Sequence, residues 1–520
     1  MTDQGEPEHD RAMTPQPAPQ PTGQTPPHAG ESGTTARSGV LSRWYRSHPK
    51  TVLVTASALA FVLLGTGAVT AGAATADNVP TAATSASTVP GEVVTVTPTP
   101  TPTPTADPER PAPAAIPAAT RLRTCSVSGA ASDSRLGQFE GSVINATTGE
   151  VLFDRSGSTP ARTGSVLKTL TSAVALSVLG ADYRLSTTVT GDPGSGAIAL
   201  VGGGDATLSA TPPGANSVYT NAPKLSDLAA QVKSSLGDQP VSSITLDATY
   251  WNQADKWDPS WKRTEQTIGY HSEVTALQVD GDRATPAATT SPRSTDPIGR
   301  AGEAFRQALV AAGVAGASSA AIAQGTSSSQ TVLAKVSSQP VSTLIGQMIP
   351  NSDNTLAEML ARVSSRVSGA DGSAASLTAL YRSVLQKTYG LDASNIVIVD
   401  GSGLSENNAV PSTFVARLMI QVANGDHGLG VVYQALPVSG KTGTLASRFT
   451  GSNAVARGAV HAKTGWIDTA YTLAGSIDAA DGTKLTFAFY AIGNVRDSAR
   501  AALDTLTASV YSCGDNLSTT

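Results

Sequence analysis

Three short clusters in this chain carry side chains able to do chemistry together. Ser165-Val166-Leu167-Lys168 sets a hydroxyl and an amine three residues apart. On a helix they share one face. If that helix is buried, loss of hydration favours the neutral amine, and a neutral amine can take the serine's proton. Ser352-Asp353-Asn354 stands directly before the apolar run TLAEML. Its hydroxyl suits a proton relay to a leaving amine, and its amide suits holding both a lysine and a substrate carbonyl. Lys-Thr-Gly then occurs twice, in SGKTGTLASRF (Ser439 to Phe449) and in HAKTGWIDTAY (His461 to Tyr471).

None of these clusters is informative alone. Ser47-His48-Pro49-Lys50 repeats the first spacing and Ser405-Glu406-Asn407 the second. Ser165 and Ser352 are also ordinary helix-cap residues. Only the combination and its order carry weight, and both depend on the elements that would position the clusters.

The first forty residues are rich in Pro, Gln, Gly and Thr and poor in large apolar side chains. They cannot bury enough surface to offset chain entropy, and residues 1–50 are expected to be a disordered cytoplasmic tail. Arg43, Arg46 and Lys50 precede an uncharged apolar span, 51–73, long enough to cross a bilayer. A cleaved signal peptide ending at Ala74 to Ala76 is the alternative, and both readings export the rest of the chain. Residues 74–118 are expected to form a Pro/Thr-rich stalk reaching up to roughly 100 Å. A net charge of -5 without a basic block beyond the N-terminal region leaves no footprint for nucleic acid.

The chain's two cysteines, Cys125 and Cys513, flank the remaining segment, and in an exported protein they are expected to pair. Within it, GSVINATTGEVLFDRSG reads as a hairpin turning at Thr148-Gly149. SVLKTLTSAVALSVLG reads as a helix apolar on most sides and therefore buried. AYTLAGSID and KLTFAFYAIG, joined at Asp481-Gly482 and followed by an amphipathic helix, indicate an antiparallel sheet covered by helices. Between them, short strand-like runs broken by Gly and Pro suggest a smaller α+β insertion. The expected layout is a catalytic domain of α+β class over 119–181 and 295–515, interrupted by one inserted domain at 182–294.

In this order, Ser-x-x-Lys, Ser-Asp-Asn and Lys-Thr-Gly form the signature of penicillin-recognising serine acyl-transferases. The chain resembles one branch of them, the D-alanyl-D-alanine carboxypeptidase/endopeptidase family of the S13, or penicillin-binding protein 4, type. SVLKTLTSAVALSVLGADYRLSTTV, VGGGDATLS, SEVTALQVD, NSDNTLAEML and VDGSGLSENNAVPS carry the likeness, which covers most of residues 135 to 500. It implies an exported enzyme that trims peptidoglycan stem peptides ending in D-Ala-D-Ala through an acyl-enzyme. The same enzyme would be acylated by β-lactams and would use no cofactor or metal.

Residue by residue, the resemblance makes Ser165 the nucleophile and Lys168 its base. Ser352 and Asn354 assist protonation and positioning. Lys463 and Thr464 attract the terminal carboxylate, and Gly465 and Trp466 continue the substrate-binding strand. Backbone N–H groups of Ser165 and Trp466 form an oxyanion hole. The resemblance also selects the second Lys-Thr-Gly: GTLASRF matches a non-catalytic segment of the relatives, with Lys441 at a variable position. Two departures stand out. Trp466 replaces the Thr or Ser that relatives place after Lys-Thr-Gly, with Asp468 nearby, and ARTGS replaces Pro-Ala-Ser before the nucleophile. The competing readings are a β-lactamase and a wall-binding homologue that has lost activity.

Overall fold

The computed structural model describes residues 122–518. In chain order the main elements are β1 (Gln138–Asn145), β2 (Val151–Arg155), α1 (Leu167–Val178), β3 (Ser186–Gly191), β4 (Ala197–Gly202), α2 (Leu225–Leu236) and β5 (Ser243–Asp247). There follow α3 (Pro297–Ala311), β6 (Ala321–Gln324), β7 (Val332–Ser337), α4 (Val341–Asn351), α5 (Asn354–Val367) and α6 (Leu377–Tyr389). The chain closes with α7 (Ser412–Asn424), β8 (Val460–Ile467), β9 (Ala470–Asp478), β10 (Lys484–Ile492) and α8 (Ser498–Cys513).

The first sheet is antiparallel, in the order β8-β9-β10-β1-β2. Its strands from the two ends of the chain meet where β1 pairs with β10, from Gln138 opposite Ile492 to Asn145 opposite Leu485. Alternate side chains point to opposite faces. One set, including Val143, Leu473, Phe487 and Phe489, packs under α8 through Leu503, Leu506 and Val510. The other, including Ala474, Ala488 and Tyr490, belongs with α1 and α7 to the larger core. The sheet is thus the middle layer of three. Cys125 and Cys513 form a disulfide with Cα atoms 5.5 Å apart, closing this unit across a sequence separation of 388.

The second sheet has the order β6-β5-β4-β3-β7. The β4-β5 and β5-β6 pairs are parallel, and each parallel step needs a crossover, supplied by α2 and α3. The boundary expected at residue 294 is therefore too early: β6 and β7 complete this sheet, and β7 pairs back onto β3 with Ser337 opposite Ser186. Among the described residues no helix is long and apolar enough to cross a membrane. The tail, span and stalk expected before residue 119 lie outside the described residues.

Candidate active site

Helix α1 begins directly after a 3-10 turn, Gly164–Val166, that holds Ser165. Every residue from Leu167 to Leu176 is buried, because this helix runs through the core with neighbours on all sides. Lys168 is therefore 0% exposed. Its Nζ donates to Ser165 Oγ (2.8 Å), Asn354 Oδ1 (2.7 Å) and the Ser402 carbonyl (2.6 Å). Burial pushes this lysine down to about 7, against the opposing pull of Asp400, Asp353 and Glu358. A buried amine with three acceptors and a half-lost proton is suited to general-base work.

Ser352 and Asn354 are brought to the same place by a junction between helices. Ser352 ends α4 in the left-handed region (φ 55°, ψ 39°), a conformation uncommon for a non-glycine residue. Capping of α5 falls to Asp353, whose carboxylate accepts from the Leu356 N–H at 3.0 Å. The Ser352 hydroxyl is thereby left for other work, and it accepts a 2.9 Å hydrogen bond from Lys463 Nζ. Asp353 is itself anchored from the second sheet's segment, by Arg283 at 2.8 Å and the Tyr219 hydroxyl at 2.9 Å. Burial alone would raise the Asp353 carboxyl, but Arg283 and Arg293 outweigh it and hold the group well below the carboxylate range.

Strand β8 supplies the third side. Lys463 is fully buried, and its proton affinity is lowered well below the ordinary lysine value by burial and then by Lys168. Thr464 is partly exposed, Gly465 buried and Trp466 48% exposed. A Cβ placed on Gly465 would stand 2.9 Å from the Ser165 nitrogen, and one on Gly164 would stand 3.0 Å from the Trp466 nitrogen. The strand and the turn before α1 thus touch backbone to backbone. This contact explains the glycine in ARTGS: Gly164 has φ +48° and has no room for a side chain.

These walls enclose one continuous cleft of about 1040 Å³, lined by Ser165, Ser352, Asn354, Thr464, Gly465 and Trp466. The Trp466 ring meets Tyr270 edge-on at 6.5 Å and Tyr471 at 6.4 Å. Asp468 is not a bare anion, because Lys262 pairs with it. Lys441, from the first Lys-Thr-Gly, is exposed and does not line this space. His461 stacks on Tyr433 at 5.0 Å and does not line it either. Among the described residues no group of His, Cys, Asp or Glu is arranged to hold a metal.

Several contributors were invisible to motif reading. The Ser402 carbonyl reaches Lys168 because Asp400 gathers the N–H groups of Ser402, Gly403 and Ser405 into a tight turn and also accepts from Trp261 Nε1. The DGSGLS composition signals such a turn, though not which carbonyl it presents. Thr444 places its hydroxyl 2.8 Å from that of Thr464. Arg283, Tyr219 and Lys262 come from the insertion and have no local signature.

With this geometry in place, the chain can be set beside known proteins. The D-Ala-D-Ala carboxypeptidase 3 (S13) family matches residues 124–293 and 283–510. The chain is 32% identical over 486 residues to a Carboxypeptidase DacB of Mycolicibacterium smegmatis, a likeness covering 91% of this chain and 99% of that one. Its fold is similar to that of penicillin binding protein 4 (dacB) from Haemophilus influenzae, with a TM-score of 0.63 at 19% identity over 74% of this chain and 98% of the other. The same protein complexed with a β-lactam gives a TM-score of 0.58 at 20% identity, again over 74% and 98% of the two chains.

Proposed function

The chain belongs to the S13 family of D-Ala-D-Ala carboxypeptidases, and from that membership we propose how its own residues carry out the reaction. It is a serine peptidase acting on peptidoglycan stem peptides that end in D-Ala-D-Ala. Neutral Lys168 takes the Ser165 proton as Oγ attacks the carbonyl of the penultimate D-Ala. The N–H groups of Ser165 and Trp466 stabilise the oxyanion, from backbones held in contact by Gly164 and Gly465. The proton passes by way of Ser352 to the departing D-Ala nitrogen, and Asn354 keeps Lys168 and the peptide aligned. Water then releases the acyl group. Lys463, bonded to Ser352, attracts the terminal carboxylate. β-Lactams acylate the same serine.

One observation carries this assignment: a fully buried amine, poised near 7, lies 2.8 Å from the Ser165 hydroxyl. The test is covalent labelling of the full chain by a fluorescent penicillin. Labelling of the wild type and none of Ser165→Ala is expected, together with D-Ala release from a D-Ala-D-Ala peptide. Labelling that persists in the variant would remove Ser165 as nucleophile. Rapid penicillin turnover would make the chain a β-lactamase, and an unlabelled, inactive wild type would make it a wall-binding homologue.

We further infer that the site works outside the cytoplasm, held to the membrane by residues 51–73. Arg43, Arg46 and Lys50 before that span and the Cys125–Cys513 disulfide both support this reading. Protease digestion of intact cells is expected to remove the penicillin-labelled domain; its full protection would refute the placement.

A further inference from the structure

Trp466, directly after Lys-Thr-Gly, brings no hydroxyl to the carboxylate seat, so Thr464 must be supported from elsewhere. Side chains two apart on a strand share a face, and Thr464 and Trp466 accordingly both line the cleft. The indole packs against the Tyr270 and Tyr471 rings and carries no hydroxyl. On the other side of Thr464 stands Thr444, exposed to the cleft, with its hydroxyl oxygen 2.8 Å from that of Thr464.

Thr444 is held there by construction. It lies in the 3-10 turn Gly443–Leu445, anchored by the fully buried Leu445. The segment before it pairs along the outer edge of β8: the Ser439 N–H donates to the Val460 carbonyl, and the Ala462 N–H to the Pro437 carbonyl. Two guanidiniums that line the cleft are already paired, Arg448 with Asp504 at 2.7 Å and Arg500 with Asp497 at 2.6 Å. Hydroxyls are thus what this end of the cleft offers alongside buried Lys463.

We propose that Thr444 is a positioning residue for the carboxylate seat. Its O–H donates to Thr464 Oγ1, fixing that hydroxyl's rotamer and aiming its proton at the substrate's terminal carboxylate. The proposal rests on the carboxypeptidase reading. The first Lys-Thr-Gly copy then contributes to the site through the threonine that succeeds it.

The test compares two peptides on the full chain, one ending in D-Ala-D-Ala carboxylate and the other in the C-terminal amide. Their kcat/KM ratio reads carboxylate recognition alone. Thr444→Val should lower the ratio about tenfold, mostly through KM, because the Thr464 hydroxyl is no longer aimed and its hydrogen bond to the charged carboxylate is lost with it. Thr444→Ser should hold it near the wild-type value. Adding Trp466→Thr to Thr444→Val, which returns a hydroxyl to the other side of Thr464, should recover much of the loss. An unchanged ratio in Thr444→Val, or an equal fall in Thr444→Ser, overturns the proposal. A wild type that hydrolyses neither peptide overturns the carboxypeptidase reading itself, and this seat with it.

Discussion

If Lys168 is the base that activates Ser165, acylation must track its protonation. An exposed lysine releases its proton near pH 10.4, so at pH 7 only about one molecule in 2,500 offers a free amine. Burial brings Lys168 down to about 7, and roughly half the molecules are then competent. The gain in available base is on the order of a thousandfold, equivalent to about 4–5 kcal/mol. The neutral form is the active one, so activity is lost as pH falls through the folded value. The second-order rate of fluorescent-penicillin labelling should climb about tenfold per pH unit below pH 6 and level off above about 8. Lys168→Arg keeps the cation and its donors but never deprotonates, and should cost roughly 10²–10⁴ in rate with no recovery up to pH 10. A wild-type rate that is flat from pH 5 to 9, or an Arg variant retaining a tenth of the activity, would refute the reasoning. The fold bears the opposite cost. Between about 7 and 10.4 the unfolded chain binds the extra proton, so stability rises with pH there and is lowest, on this lysine's account, below 7. Lys168→Met should therefore raise the Tm at pH 6 while abolishing labelling.

Two further outcomes concern the supports of the site. Arg283→Ala leaves the buried Asp353 carboxylate without its closest cation and should cost about 3–5 kcal/mol in denaturant unfolding. It should also slow penicillin labelling, because Asp353 sits between Ser352 and Asn354; unaltered stability would mean that the ion pair does not brace the junction. Gly164→Ala puts a methyl 3.0 Å from the Trp466 nitrogen at φ +48°, a strain of about 1–3 kcal/mol. Labelling should fall at least tenfold, since the two oxyanion donors are pushed apart, and an unchanged rate would separate them from that contact.

Much of the scaffold was readable because local rules govern it. The hairpin around Thr148-Gly149, the all-round apolar helix α1 and the Asp481-Gly482 turn are set by residues within a few positions of one another. The terminal disulfide was implied by cysteine count and export. The limits of the second sheet were not readable in the same way. Strand β6 has no buried residue and so shows no alternation, and β7 is fixed by pairing with β3, some 150 positions earlier. A boundary drawn from local texture stops at the Pro/Thr/Ser link near 290. The same reason hid Arg283: its partner, Asp353, is 70 residues away, and nothing beside either one announces the other.

The two Lys-Thr-Gly copies show what separates a motif from a site. Both tripeptides are chemically identical, yet Lys463 is 0% exposed within an eight-residue strand, whereas Lys441 lies in the solvent-facing turn that borders it. β8 is the edge strand of its sheet, and an edge strand's unpaired backbone groups need cover. Pro437 and Ser439 supply that cover, and this pairing brings the first copy within reach of the second. The next turn then delivers Thr444 to Thr464, while Lys441 is left outside the cleft. The segment's demands therefore fall on Ser439, Thr444 and Leu445. Lys441→Ala is expected to leave penicillin labelling and the peptide ratio unchanged where Thr444→Val alters the ratio, so the same tripeptide is dispensable in one setting and required in the other.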